Sequence, residues 1–510
     1  MNYLIGVDVG TTATKAVLYD EHATVLGHFS KQYALYRNSQ GMAEQDPATI
    51  VDAVETTIHD AAAKADLEHG KLLAVAFSSA NQSVIMLDKN YRPLSRFITW
   101  ADTRAGKVAR RLKHLPLGKI IYQRTGTPIH PMSSLTKIMW LHRAQPAKVA
   151  QTSYYGDLKA YLFHQFFGVF RLDVSVASCT GMMNIRTQDW DERALKLAKI
   201  ERHQLPEIVS TTTRETGLLK VAQEKMGIPA DTPFVYGAFD GALSNLGVGA
   251  IQSHEVAITI GTSAGVRVVT DHPVIAPHQR LFCYAVDHER WVVGGPLNNG
   301  GDVFQWAVEN LVDVNAAENE PVDPYAFANH AIAGVPAGSH GLIFHPFLGG
   351  ERAPLWNANA RGSFFGLSEL HTRADMLRAV MEGICMNIAT VFDAVSDVVG
   401  KPLSVTVTGG FARSMVWRQM LADVLDCRVD IPESFESGCL GAITMAMESL
   451  GMIHQLNEVT DFIGDVQSYL PDADAVATYQ KCLPIFKQVE KLLAPAYDEI
   501  AQLQEEEEYR

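Results

Sequence analysis

The sequence predicts an α/β fold built from two similar domains. Strands and helices mix from the N-terminus onward, and a glycine–threonine turn between two β-rich runs occurs at Gly10 and again at Gly261. Each copy begins roughly half of the chain, which sets a domain boundary near Val248 to His254 and gives domains 1–248 and 249–510. The length agrees: at about 150 residues per domain, 510 residues make roughly two to four domains.

The first thirty residues read as three strands. Leu4-Ile5-Gly6-Val7-Asp8-Val9 is β-rich, Gly10-Thr11-Thr12 turns the chain, Ala16-Val17-Leu18-Tyr19 returns, and Thr24-Val25-Leu26 follows. A helix opens at Asp46-Pro47, a capping residue followed by proline at the first helical position. Its apolar residues Ile50, Val51, Val54 and Ile58 keep one face. Strands are expected at Leu72–Phe77, Val84–Leu87 and Phe234–Tyr236. In the second half, Thr372 and Asp375 form a capping box. Leu377, Val380, Ile384, Ile388, Val391 and Val395 then make a helical stripe that Gly400 stops. Leu403 to Val407 alternates as a half-buried strand does, runs into Thr408-Gly409-Gly410, and gives way to a helix near Met415. The closing acidic run Glu505 to Glu508 reads as a solvated terminus.

Composition excludes several classes. With 47% apolar residues the chain is not mainly disordered. A net charge of −14 argues against a global grip on nucleic acid or on anionic lipid. Six cysteines without a C-x-x-C pair fit a reduced cytoplasmic chain rather than a zinc or disulfide scaffold. No uncharged apolar run reaches the roughly 18 residues of a membrane span, and the 18 histidines show no metal-ligand spacing.

Several residues can carry chemistry. A strand entering a glycine–threonine turn points N–H groups and hydroxyls at one place, which suits phosphate. Gly10-Thr11-Thr12 and Gly261-Thr262-Ser263 both qualify, with Lys15 adding charge, although no Walker-type loop is present. Asp8, in an otherwise apolar strand, sits near a phosphate-bound Mg²⁺ or bonds a backbone N–H. Asp240 follows a strand among small residues, where it can accept a hydroxyl proton or cap the next helix. Gly409-Gly410 leaves backbone open to something flat, such as adenine, or serves the turn alone. Trp100, Asp102 and Arg104 combine a ring face with charged groups, as a polyhydroxylated ligand needs; the same three read equally as a half-buried Trp and an ion pair.

Together these residues resemble the FGGY carbohydrate kinase family over essentially the whole chain. Gly6 to Thr12 matches the opening phosphate motif, Met132 to Leu141 the first family signature with a departure at Ala144, and Gly362 to Glu382 the second. Thr408 to Ser414, with Trp417, Gln419 and Asp423, resembles the adenosine segment. The resemblance implies two actin-like, ribonuclease-H-like domains flanking a cleft, a sugar-binding one and a nucleotide-binding one, and Mg-ATP as phosphoryl donor. Asp240 then corresponds to the general base, and Asp8 and Asp240 are the acids near Mg²⁺. Thr11, Thr12, Lys15, Gly261 and Thr262 correspond to phosphate positions, and Gly301, Gln305, Gly410 and Ser414 to nucleotide positions. Ala43–Pro47, Ile98–Asp102, Arg124–Met132 and Gly295–Gly301 look most like the gluconate kinases of the family. This implies D-gluconate as substrate, met by Gln82, Trp100, Asp102, Arg104 and Lys159, with Arg104 and Lys159 as cations for its carboxylate. Asn81-Gln82 and Ala160 depart from common relatives, which keeps xylulose and other pentuloses or polyols in view. An ATP-driven actin- or chaperone-like scaffold and a non-catalytic sugar sensor are the readings from other classes; family members are often homodimers.

Overall fold

Leu4, Ile5, Val7 and Val9 are all buried, so the first strand is covered on both faces and reads as a continuous apolar run rather than an alternating one. The computed structural model describes residues 1–312, 323–432 and 436–508. Two compact units divide the chain. The first comprises Met1–Ile251, Val269–Val293 and Glu436–Gly464; the second comprises Gln252–Val268, Gly294–Phe435 and Asp465–Arg510. A single boundary at 248/249 therefore does not describe the units, because two later segments return to the first.

The first unit opens with β1 (Asn2–Val9), β2 (Ala13–Asp20) and β3 (Val25–Gln32), paired antiparallel. Asp46 caps α1 (Pro47–Lys64) by accepting from Thr49 N, as its sequence predicts. Then come β4 (Lys71–Ser79), α2 (Ser134–Ala144), α3 (Leu158–Phe167), α4 (Val174–Cys179), β5 (Phe234–Phe239) and α5 (Asp240–Leu246). The sheet runs β5-β4-β1-β2-β3, with Arg214–Glu215 antiparallel outside β5, and β4 parallel to both β1 and β5. Ile50, Val54 and Ile58 of α1 and Leu162, Phe163 and Phe166 of α3 pack on it in one core. Phe77 on β4 meets the rings of Phe163 and Phe234 at 5.4 and 5.7 Å.

The second unit repeats this plan. It uses β6 (Glu255–Ile260), β7 (Ala264–Thr270), β8 (Trp291–Leu297), α6 (Gly301–Leu311), α7 (Arg373–Val399), β9 (Ser404–Thr408), α8 (Met415–Leu425) and β10 (Val429–Pro432). Thr372 and Asp375 close the expected capping box on α7, and Gly400 ends the helix. The chain next returns to the first unit as α9 (Ser437–Leu450) and finishes in the second with β11 (Val466–Tyr469), α10 (Ala473–Leu493) and α11 (Tyr497–Glu508). The sheet order β8-β7-β6-β9-β10-β11, with one further strand (Phe282–Ala285) outside β8, mirrors β3-β2-β1-β4-β5 with its antiparallel edge: a hairpin, two parallel strands, then an antiparallel strand. The repeated turn is thus part of a repeated sheet. The side chains of Glu505 to Glu508 lie outside the described residues.

Helix α9 packs on β1, β4 and β5. A Cβ at Gly6 would lie 2.6 Å from the Cys439 carbonyl oxygen, so only glycine lets α9 come this close to β1. α7 is long and apolar enough to span a membrane, but 89% of that apolar window is buried, which makes it a core helix.

Candidate active site

In the first unit, Gly10 N donates to Ala13 O at 3.0 Å and closes the β1–β2 turn. The turn is tied from outside. Tyr33 Oη donates to Gly10 O at 2.7 Å, Gln45 Nε2 to Thr11 O at 2.6 Å, and Tyr33 N to Thr12 O at 3.0 Å. Trp100 Nε1 donates to Thr11 Oγ1 at 2.8 Å. All three turn carbonyls are thus taken by protein donors, while Thr12 and Lys15 stay exposed. The second unit does the same with different partners. Gly261 N donates to Ser263 O at 2.9 Å, Gly301 N to Gly261 O at 2.7 Å, and Asp302 N to Thr262 O at 3.3 Å. A turn whose carbonyls face inward has its donor side left for an anion.

Asp8 is half-buried on β1, directly across from Lys15 on β2. Its Oδ1 accepts from Ser78 Oγ at 2.6 Å. Burial pushes its carboxyl above the ordinary range, against the opposing pull of Ser78 and Lys15. Lys15 Nζ lies 3.5 Å from Glu436 Oε2, just before α9. Among the described residues no three His, Cys, Asp or Glu side chains form a group able to hold a metal ion.

Asp240 is half-buried at the first position of α5, where its Oδ1 accepts from Gly241 N at 2.7 Å. The capping position belongs to Phe239, which makes no side-chain cap, so Asp240 is not the N-cap residue. The carboxylate leaves a strand end whose neighbours Gly241 and Ala242 are small, as the sequence suggests.

The sugar-side candidates fare unevenly. Asp102 is 1% exposed and accepts from Ala43 N at 3.0 Å. The Arg104 guanidinium is clamped between Asp102, at 2.7 Å, and Glu44, at 2.5 Å, and stacks 4.6 Å from the Trp140 ring. Arg104 is therefore not a lone cation for a carboxylate: one guanidinium serves two acids. Lys159 is a second correction. It is wholly buried, and its Nζ donates to Tyr236 O at 2.9 Å and Ala238 O at 3.1 Å and pairs with Asp173 Oδ2 at 2.9 Å. Held by two carbonyls and a carboxylate, and with no exposure, it cannot meet a substrate. Gln82 is 2% exposed and left-handed (φ 61°), and its Nε2 donates to Cys179 O at 3.1 Å and Tyr284 Oη at 2.8 Å. Its side-chain amide thus serves the protein rather than a ligand. Ala160 is fully buried in α3. Of the substrate set, Trp100 is half-buried and Arg104 and Asp240 keep some exposure.

In the second unit Gly301 opens α6, and Gln305, one turn on, is exposed with its amide on Glu309 at 2.7 Å. Nothing lies within 4 Å of where a Cβ would stand on Gly410, which leaves that backbone face open. Ser414 caps α8 through Trp417 N and donates to Asn329 Oδ1 at 2.5 Å.

Sequence reasoning missed a buried carboxylate that holds this region. Glu351 accepts from Asn298 N at 2.6 Å and Arg352 N at 2.8 Å on one oxygen, and from Asn299 Nδ2 at 2.9 Å and Asn387 Nδ2 at 2.6 Å on the other. Burial pushes its carboxyl up and these four donors pull it down. The Asn298–Gly301 loop so fixed is the one that bonds the Gly261–Thr262 turn. A charged residue between glycine and proline (Gly350-Glu351-Arg352-Ala353-Pro354) was the available signal. Lys137 was also missed as a functional support: its Nζ donates to Gln82 O at 2.7 Å and Met132 O at 2.6 Å, and burial lowers its pKa to about 7.

Comparison with known proteins agrees with this arrangement. The N-terminal domain model of the FGGY family of carbohydrate kinases matches residues 3–247, and the C-terminal domain model matches residues 256–450. A gluconokinase of Bacillus subtilis (strain 168) is 42% identical over 99% of this chain and 98% of its own. A xylulose kinase of Escherichia coli (strain K12) is 29% identical over 96% of this chain and 99% of its own. The crystal structure of gluconate kinase from Lactobacillus acidophilus superposes with a TM-score of 0.93 at 38% identity, covering 98% of this chain and 99% of that one. The ligand-bound xylulose kinase from the same organism gives the same score and identity, covering 98% and 100%. With a glycine–threonine turn in each unit, acids at Asp8 and Asp240, and both domain models matched in order, the chain belongs to the FGGY family of carbohydrate kinases, with their two-domain actin-like, ribonuclease-H-like fold and ATP as phosphoryl donor.

Proposed function

We propose that the protein phosphorylates D-gluconate, giving 6-phosphogluconate and ADP, with Asp240 as general base. The observation that carries the substrate is the 42% identity to a gluconokinase over 99% of the chain, against 29% to a xylulose kinase. The two Lactobacillus acidophilus neighbours carry one name each at the same score, so the backbone does not discriminate.

The Asp240 carboxylate, held at the start of α5, accepts the proton of the 6-hydroxyl as its oxygen bonds to the γ-phosphorus and the bond to ADP breaks. Thr11, Thr12 and Lys15 at one turn and Gly261 and Thr262 at the other bind phosphate oxygens. Gly301, Gln305, Gly410 and Ser414 line the path of the nucleoside. A bound Mg²⁺ would neutralise phosphate charge. Asp8 fits such a cation, because it is a desolvated carboxylate with one oxygen on a neutral hydroxyl. Arg104 and Glu44 offer a donor and an acceptor suited to sugar hydroxyls, with the buried Asp102 behind Arg104 and Trp100 on the same segment. A cytoplasmic setting suits six cysteines that are all unpaired.

ADP release with Mg-ATP and a panel of D-gluconate, D-xylulose, L-ribulose, glycerol and L-fuculose tests the reading. Turnover with gluconate above every other member is expected; release without any sugar would favour the scaffold reading instead.

A further inference from the structure

The pairing of β5 with β4 contains one extra residue. Val235 faces Ala76, but Ala238 faces Ser78, so two residues of β5, Tyr236 and Gly237, oppose Phe77 alone. Such a bulge bends a strand and re-aims the residues beyond it. Asp240 is one of them, three positions past Gly237. Gly237 has φ 62°, and a Cβ there would lie 2.0 Å from the Phe77 carbonyl oxygen, so no other residue fits.

A bulge of this kind leaves backbone groups without their ladder partners. The N–H side is satisfied by the preceding loop: Tyr236 N donates to Thr213 O at 3.2 Å and Gly237 N to Thr211 O at 2.9 Å. The carbonyl side is satisfied by one atom. Lys159 Nζ takes Tyr236 O and Ala238 O, the carbonyls on either side of Gly237, and forms an ion pair with Asp173 Oδ2 at 2.9 Å. Asp173 uses its other oxygen to cap α4 through Val176 N at 2.9 Å, and Ser175 on α4 takes Phe239 N at 3.3 Å. Lys159, Asp173 and α4 therefore hold the strand end from Tyr236 to Phe239, and α5 begins at the next residue.

Both partners of this pair are 0% exposed. A buried ion pair is a poor source of stability, because desolvating two charges consumes most of their attraction, and an apolar pair of similar volume serves as well. What an apolar pair cannot supply is a cation that donates to two carbonyls while a carboxylate neutralises it. We propose that Lys159, with Asp173, is a positioning residue for phosphoryl transfer: it locks the β5 bulge in the one shape that presents the Asp240 carboxylate to the acceptor hydroxyl. The inference rests on Asp240 being the base. It also moves the effect of Lys159 from substrate affinity, where an anion-binding role would put it, to turnover.

Five proteins test it: the parent, Asp240→Asn, Lys159→Met, Lys159→Met with Asp240→Asn, and Lys159→Met with Asp173→Leu, the last removing both charges so that no buried carboxylate is stranded. Thermal unfolding and circular dichroism select the folded variants, and steady-state kinetics with gluconate and ATP are measured on each. The clamp predicts kcat lower by about 100-fold in the folded Lys159 variants, since a misplacement of about 1 Å is enough for that, with both KM values within about threefold. It further predicts that adding Lys159→Met to Asp240→Asn lowers kcat by less than about threefold, because the two changes remove one function. A folded charge-free variant with parental kcat, beside an inactive Asp240→Asn, would overturn the clamp alone. A rise in KM for gluconate with kcat unchanged would also overturn it. Parental turnover by Asp240→Asn would overturn the base reading and the clamp with it.

Discussion

Trp100 Nε1 donates to Thr11 Oγ1 at 2.8 Å, so the segment proposed to face the sugar also holds a hydroxyl of the turn proposed to bind phosphate. One bond couples the Trp100 segment of the first unit to its β1–β2 turn.

Trp100→Phe keeps a ring and removes that bond. Losing one neutral hydrogen bond costs about 1 kcal/mol, which is about fivefold in an equilibrium constant. The expected result is a rise of that order in KM for ATP with little change in melting temperature; an unchanged KM would separate Trp100 from the turn.

Arg104→Met leaves Asp102 and Glu44 facing each other without their shared cation. Stranding a buried charge costs about 3 kcal/mol. Urea unfolding is expected to show a loss of that size, together with weaker sugar binding, whereas a surface ion pair would cost less than about 1 kcal/mol.

These two sites illustrate how much the chain shows of itself. The Asp102–Arg104 pair is legible because its members lie two residues apart; Glu44, the second acid, sits 60 positions away and carries no local mark. The capping boxes and hairpins are legible for the same reason, as Thr372 with Asp375 and Asp46 with Pro47 show. The return of Glu436–Gly464 to the first unit is not. Helix α9 is apolar on most of its faces, which announces burial but does not say against what, and its fit depends on the absence of a side chain at Gly6. Lys159 is the sharpest case. A lysine beside a candidate pocket reads as an anion ligand, and only the fold reveals that its ammonium is consumed by a bulge and by Asp173.

Lys137 gives stability a dependence on pH. Burial lowers its pKa from 10.5 to about 7 in the folded protein. Between those values the unfolded chain binds more protons than the folded one, so stability rises with pH from about 7 toward 10. Urea midpoints measured over that range should climb in the parent relative to Lys137→Met. Parallel curves would contradict the shift.

Glu351→Gln swaps one acceptor oxygen for a donor facing N–H groups. Hydrogen bonds to a charged group are worth about 1.5–3 kcal/mol, so a rise of roughly tenfold or more in KM for ATP is expected as the Asn298–Gly301 loop loosens. KM for gluconate should stay near parental, and an equal rise in both would point to general unfolding, to be checked by circular dichroism.

The central claim is tested most directly by competition. Specificity is the ratio of kcat/KM values, so equimolar D-gluconate and D-xylulose are offered together with limiting Mg-ATP, and the products are counted by phosphorus NMR. 6-Phosphogluconate is expected as the dominant product, with xylulose 5-phosphate near the background. A mixture dominated by xylulose 5-phosphate would contradict it while leaving the carbohydrate kinase chemistry in place.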